Sequence, residues 1–215
     1  RVRTTVNQTL SWLAVNKLDL LLLHNPCASE KDTLLHYALL EEEVPARARA
    51  LGVSNLNASL LEAILAASRV RPAVNQVGLS VGGGIGPALG GDPETLRRCW
   101  ELNVTAVSYV PLGGSTKAPV LEGRHGGNEF AQRAVEAVVK QKNMTRAQVA
   151  LRWLEQHGSA VVFSTNSEWH MRENMDGLTN PQYELDPIQM RILDAVWFQP
   201  RGYPDAELRS CYKRM

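Results

Sequence analysis

Leu20 to Leu23, four leucines in a row, form the most apolar run of the chain. The run is too short to span a bilayer and lacks the alternation of a strand wetted on one face. It predicts a strand buried on both faces, as in a parallel sheet with helices packed outside. The strand stops at His24, and Pro26, which has no N–H to donate and a fixed φ, closes it. Upstream, Val6, Leu10 and Leu13 recur at helical spacing between Thr4 and Val15, so a helix leads into the leucine strand.

Downstream the two periods keep alternating. Asp32 is the expected cap of a helix through Leu34, Leu35, Ala38 and Leu39 that ends near Pro45. Ala50–Ser54 reads as the second strand, and Asn57 or Ser59 can cap the next helix, with Leu60, Leu61, Ile64 and Leu65 as its apolar stripe. Ala73–Val77 is the third strand. Asn75 and Gln76 interrupt it and need a partner, which could be the backbone, each other or a ligand. Asp92-Pro93-Glu94 marks a helix start, leading through Leu96, Cys99 and Trp100. Val104–Val110 is the fourth strand and carries Tyr109 at its end.

Glu129–Lys142 should be helical with Phe130, Ala134, Ala137 and Val138 on one side, and Thr145 with Gln148 forms a capping box for a helix through Val149, Trp153 and Leu154. Ala160–Phe163 is the fifth strand, followed by Ser164 to Ser167 and a helix carrying Arg172, Glu173 and Asn174. Asp186-Pro187 opens a last helix through Met190, Ile192, Leu193 and Val196, and the tail from 199 to 215 should be irregular. Strands thus alternate with helices and no hairpin signal intervenes, which predicts a parallel α/β fold. Five strands leave two architectures open: an open doubly wound sheet, or a (β/α)8 barrel whose first three units precede this sequence.

Composition narrows the function classes. A length of 215 residues allows one large domain, and 23 Lys+Arg against 22 Asp+Glu give no basic field of the kind nucleic acid would need. The acidic run Glu41–Glu43 is expected on the wet face of its helix. Cys27, Cys99 and Cys211 are odd in number and form no CxxC, so they predict free thiols in a reducing, cytoplasmic setting and no bound metal. No apolar segment reaches membrane-spanning length and no signal peptide is present, so no membrane partner is expected. The sequence begins at Arg1 and not at a methionine, so further residues are expected upstream.

Three stretches carry candidate chemistry. His24 stands at the carboxyl end of a strand, where a parallel barrel builds its active site, although a histidine merely hydrogen-bonded at a strand end would read the same. Six glycines from Gly82 to Gly91 lack the GK[ST] of a phosphate loop and the tight strand-to-helix setting of the dinucleotide fingerprint, so they read as a connector. The long polar loop with Gly123, Gly126 and Gly127 has the length of a lid or a disordered segment. Ser164 to Ser167, ahead of a helix N-terminus, suits an anion, but capping by Ser167 would leave the same trace.

In chain order, LDLLLLHNP, ALGVSNLN, PAVNQV, VSYVPLGG, TRAQVALRW and VVFSTNS with MRENM resemble the aldo-keto reductases, in register from about Leu10 to Val196. The resemblance implies an NAD(P)H-dependent oxidoreductase on a (β/α)8 TIM barrel, with this chain supplying the fourth to the eighth strand. It gives His24 the contact to the carbonyl of a small-molecule substrate. Ser54, Asn55 and Gln76 match the residues that hydrogen-bond the nicotinamide carboxamide, and Tyr109 the one that stacks on the ring. Leu112 and Gly113 fall along the pyrophosphate; Ser164, Thr165, His170, Glu173 and Asn174 fall at the adenosine end. The family's tyrosine acid, its lysine and its aspartate lie on earlier strands, so a truncated, inactive cofactor-binding or scaffold protein is the alternative. NADP(H) is expected over NAD(H), although Ser164 and His170 stand where the family keeps basic residues. Asn25 replaces a bulky apolar residue, and Gly78-Leu79-Ser80 replaces acidic and histidine positions; both changes imply an altered substrate pocket. Open sheet edges at the first and fifth strands imply self-association.

Overall fold

The computed structural model describes residues 2–83, 90–113 and 129–198. Most of the glycine connector, the loop with Gly123, Gly126 and Gly127, Cys211 and the tail from residue 199 lie outside the described residues. The chain divides into two compact units, Arg1–Val77 with Pro87–Val107, and Gly78–Gly86 with Ser108–Met215.

The described elements run α1 (Val2–Leu13), β1 (Leu18–Leu23), α2 (Glu30–Glu41), β2 (Ala48–Ser54), α3 (Ala58–Ala67), β3 (Pro72–Gly78), α4 (Pro93–Glu101), β4 (Thr105–Tyr109), α5 (Glu129–Lys142), α6 (Arg146–Gln156), β5 (Ala160–Val162), α7 (Glu168–Thr179) and α8 (Pro187–Phe198). Strand order follows chain order, β1-β2-β3-β4-β5. β1 pairs with β2 and β2 with β3 in parallel, with Leu23 opposite Val53 and Ser54 opposite Gln76. Strand and helix assignments from the hydrophobic period therefore hold to within a few residues.

In the first unit, β1 departs from expectation. Leu18 is buried, but Leu20 is 39% exposed and Leu21 to Leu23 are half-buried. The reason is position: β1 ends the strand order, and a strand with a lateral neighbour on one side only keeps both faces partly open. The cap of α2 is Ser29 and not Asp32. Ser29 Oγ accepts from Asp32 N at 3.1 Å and donates to Asp32 Oδ2 at 2.7 Å, so Asp32 sits in the first turn as the cap's return partner.

The acidic run also departs from expectation: Glu41 and Glu43 are 5% and 2% exposed. Glu41 Oε1 accepts from the main-chain N–H groups of Arg69 and Val70 at 2.7 and 2.8 Å, and Arg69 Nε donates to Oε2 at 3.2 Å. Glu43 pairs with Arg47 at 3.1 Å and Arg3 at 3.5 Å. Glu41 is buried because its carboxylate satisfies donors in the loop before β3, whereas Glu43 is buried against the guanidinium groups of Arg47 and Arg3, an ion-pair contact in place of hydrogen bonds to the main chain. Tyr37, 2% exposed, donates to Val70 O at 2.9 Å, and burial with the Glu41 charge holds its hydroxyl well above the ordinary phenol range.

Asn57 caps α3, accepting from Leu60 N at 3.0 Å. Asn75, fully buried, takes the backbone as its partner: its Nδ2 donates to Leu56 O at 2.8 Å. Asp92 caps α4 through Thr95 N and Thr95 Oγ1 at 2.9 and 3.0 Å, with Pro93 at the first helical position. Leu96 and Cys99 are the buried side of that helix.

In the second unit, α5 buries Ala131, Val135 and Val138, while Phe130 is 63% exposed beneath the Arg133 guanidinium. Val138 is on the buried side as expected, but Ala134 and Ala137 are half-buried, and Ala131 and Val135 take the buried places assigned to Phe130 and Ala134. The capping box of α6 is present, with Gln148 N on Thr145 Oγ1 at 3.2 Å and Thr145 N on Gln148 Oε1 at 3.0 Å. Residues 147–154 of α6 are buried throughout, and Trp153 Nε1 donates to Asp194 Oδ1 of α8 at 2.8 Å. Among the described residues no helix is long and apolar enough to cross a membrane.

Candidate active site

In the first unit, the strand-end residues form one hydrogen-bonded set. His24 directly follows β1 with an exposed side chain, and its main-chain oxygen accepts from Asn55 Nδ2 at 3.1 Å. A carbonyl oxygen can only accept, so this bond fixes which end of the Asn55 amide faces β1. The same Nδ2 then donates to Asn25 Oδ1 at 2.9 Å and approaches Ser54 Oγ at 3.2 Å. Asn55 has φ 62°, a left-handed conformation that asparagine tolerates better than most residues, and that backbone turn aims its side chain back across β2 toward β1.

The other end of the set is the main-chain oxygen of Gln76. It accepts from Ser54 Oγ at 2.8 Å and from Asn55 N at 2.9 Å. Ser54 and Asn55 are buried at 1% and 5% exposure, while Gln76 is half-buried. Among the described residues the Gln76 side-chain amide and the His24 imidazole make no hydrogen bond, so both can turn to a ligand. Ser54 and Asn55, by contrast, spend their donors on the fold. Their first role is to hold the ends of β1, β2 and β3 in register.

In the second unit, Tyr109 ends β4 half-buried, and burial pushes its hydroxyl pKa up. Its main-chain oxygen accepts from Leu79 N at 3.3 Å. The next residues turn sharply: Val110 has φ 47°, Gly113 has φ 84°, and Gly113 N donates to Val110 O at 2.9 Å. Leu112 and Gly113 thus lie in a tight turn immediately after Tyr109. Past β5, Ser164 is exposed and Thr165 half-buried. Thr165 Oγ1 accepts from Ser167 N at 3.1 Å and Ser167 Oγ from His170 N at 3.3 Å, so the capping reading of this stretch is realised and uses two N–H groups an anion would want. His170 is exposed and Glu173 half-buried. Asn174 is 4% exposed, and among the described residues its side-chain amide has no hydrogen bond.

One pair escaped the sequence: Cys27 Sγ lies 3.0 Å from His36 Nδ1, across a loop and a turn of helix that no local spacing announces. Among the described residues no group of three or more His, Cys, Asp or Glu side chains could hold a metal ion.

Comparison with known proteins fits this geometry. The family model described as the aldo/keto reductase family matches residues 1–197. A curated relative from Danio rerio, aldo-keto reductase family 1 member A1-A, is 28% identical over 213 residues, covering 90% of this chain and 62% of the relative. Deoxymugineic acid synthase 1 of Oryza sativa is 29% identical over 195 residues, covering 82% of this chain and 57% of that protein. Among solved structures, the thermostable aldo-keto reductase Tm1743 aligns with TM-score 0.72 at 25% identity, covering 91% of this chain and 65% of the other. The aldo/keto reductase from Brucella melitensis aligns with TM-score 0.71 at 20% identity, over 90% of this chain and 65% of that one, a likeness of fold. The chain spans about three fifths of the length of the first two relatives. It belongs to the aldo/keto reductase family, and its run of β/α units is part of that family's (β/α)8 barrel.

Proposed function

We propose that the protein is an oxidoreductase that reduces an aldehyde or ketone to an alcohol with hydride from NAD(P)H. The observation that carries this reading is the strand-end set in which Asn55 ties the His24 carbonyl to Ser54 and Gln76. It leaves the imidazole of His24 and the amide of Gln76 as the groups turned outward. In this reading His24 donates to the substrate carbonyl oxygen, where negative charge develops as hydride arrives. Gln76, on the frame set by Ser54 and Asn55, orients the nicotinamide carboxamide.

In the second unit Tyr109 is the stacking platform and Leu112-Gly113 the pyrophosphate turn. Ser164, Thr165, His170, Glu173 and Asn174 hold the adenosine end, and their place between β5 and the first turns of α7 supports that assignment. When bound, the dinucleotide supplies the hydride; the chain's part is to fix its face and position relative to the carbonyl. The cofactor is NADP(H) in preference to NAD(H), and a cytoplasmic location goes with this chemistry.

A second reading, a scaffold that binds cofactor without turnover and associates through its sheet edge, is favoured by the open faces of β1, where Leu20 is 39% exposed. One experiment separates the two: titration of the chain with NADPH and NADH by fluorescence, with aldehyde turnover assayed on the same sample. Turnover supports the reductase, binding without turnover supports the scaffold, and no binding of either dinucleotide overturns both.

A further inference from the structure

Cys27 and His36 form a nucleophile and base pair that the reductase reading does not use. Cys27 N donates to Thr33 Oγ1 at 3.0 Å, and Thr33 Oγ1 donates to Ser29 O at 2.8 Å. Thr33 is fully buried, so this chain of bonds ties the residue after Pro26 to the first turn of α2. His36, three residues beyond Thr33 on the same helix, is thereby brought beside the thiol, with Nδ1 3.0 Å from Sγ. The Cys27 residue is half-buried and the imidazole exposed, so a small molecule can reach the sulfur. A nucleophile within hydrogen-bond reach of an imidazole is the arrangement that activates sulfur for attack.

We propose that Cys27 is a site of mixed-disulfide formation with low-molecular-mass disulfides, with His36 as the base. The Cys27 thiol proton passes to His36 Nδ1 as Sγ attacks one sulfur of the small disulfide. The new S–S bond forms as the old one breaks, and the released thiolate takes the proton, so one thiol and one disulfide yield one mixed disulfide and one small thiol. Cys27 is oxidised and the departing half of the reagent is reduced. The adduct stands three residues past His24, at the carboxyl end of β1. Cys99 is the internal contrast: it is fully buried, and its sulfur faces the Asn75 amide at 3.9 Å and not an imidazole.

The test uses the full chain with Cys211→Ser, which leaves Cys27 and Cys99 as the two thiols. It is incubated with oxidised glutathione near neutral pH, and intact mass is followed in time with peptide mapping. The expected result is a single adduct on Cys27, formed about a hundredfold more slowly in the His36→Gln variant, the lower end of what a positioned base supplies. Cys99, unreactive in both proteins, reports that the exposed-site substitution leaves the fold intact. An adduct on Cys99, no adduct at all, or His36→Gln reacting at the parent rate would overturn the proposal.

Discussion

Asn55 Nδ2 donates to the main-chain oxygen of His24 at 3.1 Å, which ties the turn after β2 to the end of β1. The bond crosses between neighbouring parallel strands at their carboxyl ends, where a β/α barrel gathers its chemistry. It depends on a left-handed backbone at Asn55, and that backbone is held by Asn55 N on Gln76 O at 2.9 Å. One residue therefore sets the position of the candidate catalytic histidine and of the strand that offers Gln76.

Replacing Asn55 should show both roles. In Asn55→Ala the amide is lost and a Cβ residue without a polar side chain is kept at positive φ, so stability should fall by about 2–4 kcal/mol. Asn55→Gly removes the same amide but adopts the backbone freely, so its loss should be smaller by about 1 kcal/mol. Both variants should lose dinucleotide affinity alike. Urea unfolding and NADPH titration on the three proteins check this. Equal stabilities for Ala and Gly would mean that the backbone at this position carries no strain.

Much of this arrangement was legible before the structure. The helix starts at Asp92-Pro93 and Thr145-x-x-Gln148 are local chemistry, decided within four residues, and they stand as read. What local pattern could not show is anything set by a partner far along the chain. Glu41 looked like a solvated charge because its partners, the N–H groups of Arg69 and Val70, are 28 and 29 residues away. The glycine-rich stretch is similar. At Gly90, φ is +73° and an added Cβ would stand 2.3 Å from Leu56 O, so this glycine answers a close backbone approach and not a phosphate. The pairing of Cys27 with His36 likewise arises from the loop anchored on Thr33.

The buried Glu41 gives a second prediction. Both main-chain donors converge on Oε1, so Glu41→Gln can keep them and should lose about 1 kcal/mol, whereas Glu41→Ala strands two N–H groups and should lose about 2–4 kcal/mol. The Arg172–Glu168 pair, exposed at 77% and 79%, is the control, and Arg172→Ala should change stability by less than about 0.5 kcal/mol. Chemical denaturation of the three variants measures the difference, and equal losses for Gln and Ala would show that the charge, not the acceptor, matters.

Cys99 predicts the alkaline behaviour of the fold. Burial pushes its thiol from the ordinary 9.0 up to about 11, against a weaker opposing bond from Asn75 and with Asp92 adding to the rise. A group whose folded value is raised contributes fully below its unfolded value and loses that contribution as pH climbs toward the folded one. Stability should therefore decline between about pH 9 and 11 by ~2–3 kcal/mol on this account. Cys99→Val should lower stability at neutral pH through altered packing but show a shallower decline over that window. Tyr37, raised in the same direction, stays in both proteins and cancels from the comparison. Parallel slopes for parent and variant would remove Cys99 from the explanation.

His170 offers the sharpest handle on cofactor choice. Its main-chain N–H is spent on the Ser167 cap of α7, while its side chain is exposed at the start of the segment assigned to the adenosine end. Arginine at this position would bring a permanent cation and a fork that matches a phosphate. A charge-assisted bond of about 1.5–3 kcal/mol corresponds to at least tenfold in affinity. His170→Arg should therefore tighten NADP(H) by about tenfold and leave NAD(H) within about twofold, since only the former carries the extra phosphate. Placing a cation near a helix N-terminus opposes the dipole, so the same variant should be less stable by about 0.3–1 kcal/mol. Dissociation constants for both dinucleotides, with thermal unfolding beside them, test the pair of effects together. If affinity for the two dinucleotides moves equally, the start of α7 does not hold the 2′-phosphate, and the assignment of Ser164 and His170 to that end of the cofactor fails.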